Sequence, residues 1–233
     1  MPARESLDLM RLHAETLFVH DAAGALIRVN EPDGGPAPRF FLGVTQSGVI
    51  TRYREDIDRS LRIALEEESR RLRSLDVPPV PDPFQRILSR AAPIERTWTG
   101  PAFALAQVPV DPAGAVRAVH IDDSNAWLLG DFLESWMGDV TTCAPMLAII
   151  MDGRAVSVCA SVRRSAAAHE AGVETAPQYR GRGLAPRAVA AWARAVLTMD
   201  RVPLYSTSWQ NEASRNVARK LGMTHFGNDL HIT

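Results

Sequence analysis

Val173-Glu174-Thr175-Ala176-Pro177-Gln178-Tyr179-Arg180-Gly181-Arg182-Gly183-Leu184-Ala185 begins as a strand, passes through a polar turn and opens a helix. The helix is legible in Ala188, Val189, Trp192, Val196 and Leu197, which recur at helical spacing behind the turn. The first N–H groups of a helix have no internal partners, and the helix dipole favours negative charge there. Gly181 and Gly183 carry no Cβ, so a phosphate can approach the backbone closely. Arg180, Arg182 and Arg187 add forked cationic donors suited to phosphate. The local reading is a pyrophosphate cradle, and an ordinary strand-to-helix turn with surface arginines stands beside it.

Two glycine motifs are excluded. The chain's only lysine is Lys220, so there is no Walker lysine, and the third glycine of a dinucleotide fingerprint is missing. Arg180-Gly181-Arg182-Gly183-Leu184-Ala185, with Pro177 before it, resembles the Arg/Gln-x-x-Gly-x-Gly/Ala signature of the GNAT superfamily of N-acetyltransferases. Asn211-Glu212-Ala213-Ser214, followed by Ala218-Arg219-Lys220-Leu221-Gly222-Met223, resembles that family's later helix. The resemblance covers roughly the last 130 residues, about one domain's worth. It implies a mixed α/β (α+β) fold with a mostly antiparallel sheet and flanking helices, preceded here by an N-terminal α+β segment.

At 233 residues the chain allows one large domain or two small ones. Hydrophobic residues at 46% and charged residues at 23% are ordinary for a globular protein. A net charge of −1 speaks against non-specific attraction to nucleic acid or membranes. Cys143 and Cys159 lie in apolar surroundings, which suits core filler in a reduced, cytoplasmic protein and not a disulfide scaffold. The N-terminus lacks the apolar run of a signal peptide, and no stretch approaches the length of a membrane span.

In chain order, Leu7 to Val19 reads as a helix. Ala25–Val29, Phe40–Val44 and Val49–Tyr53 read as a small antiparallel sheet. Asp56 is expected to cap a long amphipathic helix running to about Ser74. Asp76 to Pro83 holds four prolines and reads as a semi-rigid linker, placing an N-terminal segment at 1–83 and a GNAT-like domain at 84–233. A short helix over Phe84–Ala91 and a strand over Thr99–Val110 follow, then a helical region within His120–Met137. Pro145–Ile150 and Ala155–Val162 flank Asp152-Gly153, a hairpin signal. Ala168–Thr175 is the next strand, and the helix after the glycine turn ends near Asp200. Val202–Trp209 reads as a strand, Asn211–Leu221 as a helix stopped by Gly222, and the tail as a final strand or hairpin.

The resemblance implies acetyl-CoA or another acyl-CoA as donor and a primary amine as acceptor, with no metal. The pyrophosphate would rest on Arg180, Gly181, Arg182, Gly183, Leu184 and Ala185, and the pantetheine would run as a pseudo-strand beside Val173, Glu174 and Thr175. Asn211 and Ser214 match positions that contact the cofactor; Asn211 also suits a helix N-cap. A general base is implied on the Ala168–Thr175 strand, with His169, Glu170 and Glu174 as candidates. Adjacent strand residues point to opposite faces, so His169 and Glu170 do not both face one cleft. Trp127, Asp131, Glu134 and Trp136 are acceptor-site candidates by the same resemblance. The family's usual tyrosine acid is absent, because Ala218 stands at its position; Tyr205, Ser206, Ser208 and His225 are nearby in sequence. The two cysteines have no adjacent base for an acyl-enzyme and no zinc spacing.

Two other classes are weighed against this. A CoA-binding module without turnover fits the missing tyrosine. A nucleic-acid binder using Arg180–Arg182 predicts basic clustering that the net charge of −1 does not supply. The acceptor and the oligomeric state are not readable in the sequence. The first 83 residues are expected to wall the acceptor site.

Overall fold

The computed structural model describes residues 5–72, 79–108 and 118–233. The chain divides into two compact units, each assembled from separate stretches.

The first unit comprises Met1–Ala104, Ser206–Glu212 and His225–Thr233. Helix α1 (Ser6–Leu17) leads into a two-stranded ribbon of β1 (Phe18–His20) and β2 (Leu26–Val29). Strands β3 (Phe40–Thr45) and β4 (Gly48–Tyr53) form an antiparallel pair, and the C-terminal strand β11 (Thr224–Ile232) joins β3 on its other side, with β5 (Thr97–Ala104) next. The Ala25–Val29 run therefore belongs to the ribbon with β1, not to the sheet of β3 and β4. Its alternation is too short to choose a partner by itself.

Helices α2 (Arg59–Ser69) and α3 (Asp82–Leu88) bury Leu61, Leu65, Phe84 and Leu88 against Phe40, Leu42 and Leu230. The N-cap of α2 is Asp58, whose carboxylate accepts from the N–H groups of Ser60 and Leu61. Asp56, the expected cap, instead pairs with Arg54. Two acidic residues two positions apart offer the same capping chemistry, and only the chain direction separates them. The helix ends at Ser69; the expected end near Ser74 and the first residues of the proline-rich stretch lie outside the described residues. Pro83 sits in the first turn of α3, where a missing N–H does no harm.

Gly43 and Gly227 lie beneath Met10 of α1, which is fully buried. A Cβ on either glycine would collide with the Met10 side chain. The glycines thus set how closely α1 approaches the sheet.

The second unit comprises Leu105–Tyr205 and Ala213–Thr224. Its strands run in the order β10 (Val202–Ser206), β9 (Ala168–Thr175), β8 (Arg154–Arg164), β7 (Met146–Met151), β6 (Ala118–Ile121). Strands β6 to β9 are antiparallel neighbours, and β10 is parallel to β9. Asp152 and Gly153, with φ of 50° and 74°, make the tight turn of the β7–β8 hairpin, as the Asp-Gly pair predicts. Helix α4 (Leu184–Thr198) and helix α5 (Glu212–Lys220) complete the unit, and Gly222, at φ 60°, follows α5. The expected helical region within 120–137 is instead strand β6 followed by 3-10 turns at Ala126–Leu129 and Glu134–Asp139. Gly130 interrupts what the apolar spacing alone reads as one helix.

Met10→Ala should destabilise the fold by about 2–5 kcal/mol, the usual range for emptying a buried methionine site. Gly43→Ala alone should destabilise by about 1–3 kcal/mol through overpacking. The double variant should be more stable than the sum of the singles requires, because the added methyl group enters the vacated space. Urea unfolding of the four proteins measures this coupling.

Candidate active site

The β9–β10 ladder is short. Its partners are Val202 with Ala168, Pro203 with His169 and Leu204 with Glu170. Beyond Glu170 the two strands part, while β8 stays paired with β9 as far as Ser157 and Thr175. Residues 171–175 of β9 therefore have one edge satisfied and one edge without a partner strand. This edge leads directly into the glycine turn.

In the turn, Pro177–Tyr179 form a single 3-10 turn, and Gly181 and Gly183 take φ of 76° and 74°. A side chain is strained at such angles, so glycine is needed for the backbone path itself. A Cβ at either position would meet no atom within 4 Å, so the space above both is open. Gly183 is the N-cap of α4 and no side chain caps the helix there. Pro186 lies in the first turn and supplies no N–H. The backbone donors of Leu184, Ala185 and Arg187 are left to define the helix end. Arg180 Nε donates to the carbonyl of Thr175, 3.1 Å away, tying the turn to the end of β9. The guanidinium of Arg182 lies 5.1 Å from the centre of the Tyr179 ring. Both arginines thus help shape the turn as well as charge it.

Cross-strand pairing sorts β9 by face. Gly172 opposes Ala160, Glu174 opposes Val158, and these partners cluster with Leu129, Leu133, Val140 and Trp136 of the 3-10 segment. Glu170 shares this alternation. His169, Ala171, Val173 and Thr175 lie on the other face, towards α4. There Ser161 Oγ accepts from Trp192 Nε1 of α4 at 2.9 Å and meets His169 Nδ1 at 2.8 Å. One serine hydroxyl thus joins the Trp192 indole and the His169 ring in a single buried contact. Burial, with Arg164 and Arg201 nearby, holds the pKa of His169 down at about 4. His169 and Glu170 are both buried.

Glu174 is half-buried, and its Oε2 accepts from Trp136 Nε1 at 2.7 Å. Trp136 and Val162 close over Gly172, where any side chain would collide with Val162. A glycine inside a strand signals such close approach, and Gly172 was readable on that ground. Of the other acceptor-side candidates, Asp131 pairs with Arg154, which also lies over the Trp127 ring, and Glu134 is exposed. Phe132 reaches the turn, its ring centre 5.6 Å from that of Tyr179. Nothing in the spacing of Phe132 and Tyr179 announced that contact.

On the proton-donor side, Tyr205 is buried and its hydroxyl lies 2.6 Å from Ser214 Oγ. Burial pushes the Tyr205 pKa up to about 12. Ala218 is buried in α5. Asn211 directly precedes α5, in a segment that belongs with Ser206 and Ser208 to the first unit. His225, in the same unit, bonds Asn228 Oδ1 through Nε2 at 2.8 Å. Cys143 and Cys159 are free and buried, and burial raises the Cys159 thiol well above its ordinary value.

Residues 147–228 match the model of the GNAT acetyltransferase family. No curated protein matches the sequence. Among solved structures, the chain resembles a GCN5-related N-acetyltransferase from Kribbella flavida, at 17% identity over 99% of this chain and 96% of that one, with a TM-score of 0.52. It resembles an acetyltransferase of the GNAT family from Colwellia psychrerythraea at 12% identity, over 99% and 97% of the two chains, with a TM-score of 0.50. A GNAT-family protein from Novosphingobium aromaticivorans matches at 19% identity over 60% of this chain, with a TM-score of 0.49, and the chain spans 65% of that protein's length. The first two likenesses show the fold, and the family match implies acyl transfer from acyl-CoA for the stretch that it covers. The likeness to the GNAT acetyltransferase family is thus carried by residues 147–228, the stretch that holds strands β7 to β10, the glycine turn and helices α4 and α5.

Proposed function

We propose that the protein transfers an acetyl group from acetyl-CoA to a primary amine by direct attack. The observation that carries this reading is the unpartnered 171–175 edge of β9 running into an open glycine turn at the N-terminus of α4. The pantetheine would add to that edge as an extra strand, using the backbone of Val173, Glu174 and Thr175. The pyrophosphate would rest on the N–H groups from Arg180 to Ala185. Asn211 and Ser214 are assigned to the cofactor on the family pattern. The buried, free cysteines suit a reduced, cytoplasmic setting.

In the reaction the amine nitrogen attacks the thioester carbonyl carbon, the C–N bond forms and the C–S bond breaks. The carbonyl oxygen gathers charge that a backbone N–H of β9 would stabilise. An acceptor that arrives as R–NH3+ gives one proton to a base so that the neutral amine can attack, and after attack a second passes to the departing thiolate directly or through water, leaving the neutral amide. His169 is a poor base for this step. Its Nδ1 is engaged with Ser161 on the α4 side, and a group with a pKa of about 4 has little affinity for a proton near neutrality. Glu170 and Glu174 share the opposite face, and the base is assigned to these carboxylates.

Calorimetric titration with acetyl-CoA tests the donor. The wild-type protein should bind saturably, and an Arg180→Glu, Gly183→Asp double variant should bind about 100-fold more weakly or not at all, from added negative charge at the cradle. A folded wild type that ignores acetyl-CoA would remove the acetyl-transfer reading. Saturable binding without turnover of any amine would leave a CoA-binding module instead.

His169 makes a separate prediction. The folded protein holds it neutral down to about pH 4, whereas the unfolded chain protonates it near 6.5. Its contribution to stability is therefore fully present above about pH 6.5 and is lost as the pH falls towards 4. Urea midpoints should drop across that window in the wild type. His169→Gln should flatten this part of the drop and leave acetyl-CoA binding in place.

A further inference from the structure

Glu174 differs from the exposed and paired carboxylates of its unit, and unlike Glu170, which is buried on the same face, it remains partly open to solvent. Asp131 is neutralised by Arg154, Asp123 accepts from Thr141 Oγ1 at 3.2 Å, and Glu134 and Asp139 are exposed to water. Glu174 is half-buried, yet among the described residues its side chain meets no arginine, lysine or histidine within ion-pair distance. What holds it is one neutral donor, the indole N–H of Trp136. A carboxylate withdrawn from water in this way is under-compensated, and a cation beside it recovers the lost solvation.

The position of that carboxylate matters as much as its charge. It lies on β9 beyond the point where β10 departs, on the strand stretch beside which the thioester would lie. One face of β9 here is occupied by α4 through Trp192 and Ser161. An acceptor must therefore come from the face that carries Gly172 and Glu174. Gly172 presents no side chain there, and the Trp136 ring packs over it. Trp136 thus does two things at once: its edge fixes one oxygen of Glu174, and its ring supplies an apolar wall beside it. Phe132 and Met137, from the same 3-10 segment, are exposed apolar side chains.

We propose that Trp136 and Glu174 form the acceptor-recognition pair of the enzyme, in which Trp136 positions the Glu174 carboxylate to receive the acceptor as a primary ammonium ion on an apolar body. The proposal rests on the acyltransferase reading above. It names Glu174 as the specificity-determining carboxylate and Trp136 as the residue that orients it. Acceptors of this class are alkylammonium ions, whereas alcohols and anionic amines are excluded by the missing or opposing charge.

The indole N–H of Trp136 is itself the reporter. Protein carrying 15N-labelled tryptophan gives one indole resonance for each of its five tryptophans, and Trp136→Phe identifies the one that matters. Titration with n-butylammonium chloride to about 50 mM, a range that registers even weak contacts, should move the Trp136 resonance saturably. The isosteric alcohol 1-butanol should not move it. In Glu174→Gln the ammonium response should be weakened about tenfold or lost, while the other four indole resonances show that the fold is kept. No response in the wild type, an equal response to 1-butanol, or an unchanged response in Glu174→Gln would each overturn the pair. Acetyl-CoA binding, measured by calorimetry on the same samples, is the independent check on the donor. If acetyl-CoA binds and Trp136 is silent, the pair fails and the acyltransferase reading stands. If Trp136 responds and acetyl-CoA does not bind, the donor assignment fails instead.

Discussion

The parting of β9 from β10 after Glu170 and Leu204 is the constraint on which the candidate site depends. Two parallel strands that stayed paired would satisfy each other's backbone and leave nothing for a ligand to bind. Here three residue pairs hold the strands together, and the next five residues of β9 keep only their β8 neighbour. Unpaired strand backbone is a liability in most proteins, because it invites another strand. At this place the strand addition is useful, since an extended pantetheine amide chain offers the donors and acceptors that the missing partner would have supplied. The same strand then delivers the chain into a turn whose positive-φ glycines aim the helix end at open space. In the proposed function, one interrupted ladder would thus set the place of both ends of the donor.

The strand's strict alternation makes the second division. One set of β9 side chains belongs to the α4 layer, where Ser161, His169 and Trp192 satisfy one another in a buried relay. The other set belongs to the 3-10 segment and holds the carboxylates. The histidine, which by its ordinary pKa suits base work near neutrality, is driven to about 4 by its surroundings. Its role is better described as a polar fastening between β8, β9 and α4, since its hydrogen bond to Ser161 satisfies groups that burial would otherwise strand. The proposed function therefore assigns the base to the carboxylates on the face away from the helix.

How much of this was legible in the sequence follows from the range of the interactions involved. The glycine turn, the Asp152-Gly153 hairpin and the Gly222 stop are local rules of backbone conformation, and each stands where its residues require. The two glycines beneath Met10 were silent, because their reason lies in a helix residue outside their own strands, far along the chain from Gly227. Asp56 and Asp58 have the same capping chemistry, so spacing could not separate them. The stretch from His120 to Met137 misled for a different reason. Its apolar residues fall at helical intervals, but Asp122, Asn125 and Gly130 divide it into the end of a strand and two tight turns, and tertiary packing of Leu129 and Leu133 decides the outcome. Within the site, the glycine turn pointed to a phosphate cradle, and the family resemblance supplied the three β9 candidates for the base. It could not rank those candidates, because facing, burial and the Trp136 hydrogen bond all depend on partners far along the chain.

The missing tyrosine at Ala218 can be weighed in the same terms. Tyr205 is the nearest buried phenol in the unit, yet its hydroxyl is committed to Ser214 and its pKa is pushed up to about 12. A thiol of ordinary acidity has a pKa of about 8.5. Moving a proton from such a phenol to such a thiolate is uphill by roughly three to four pKa units, so Tyr205 would assist departure poorly. A thiolate of that basicity leaves readily without full protonation, and the amine nitrogen itself becomes acidic once it has attacked. The proton that the sulfur finally carries is therefore available from the acceptor, directly or through water. On this argument the buried Tyr205–Ser214 contact fastens β10 to α5, and the reaction depends more on how the acceptor is held than on a dedicated acid. That places the demand for precision on the face of β9 where Glu174 and Trp136 stand.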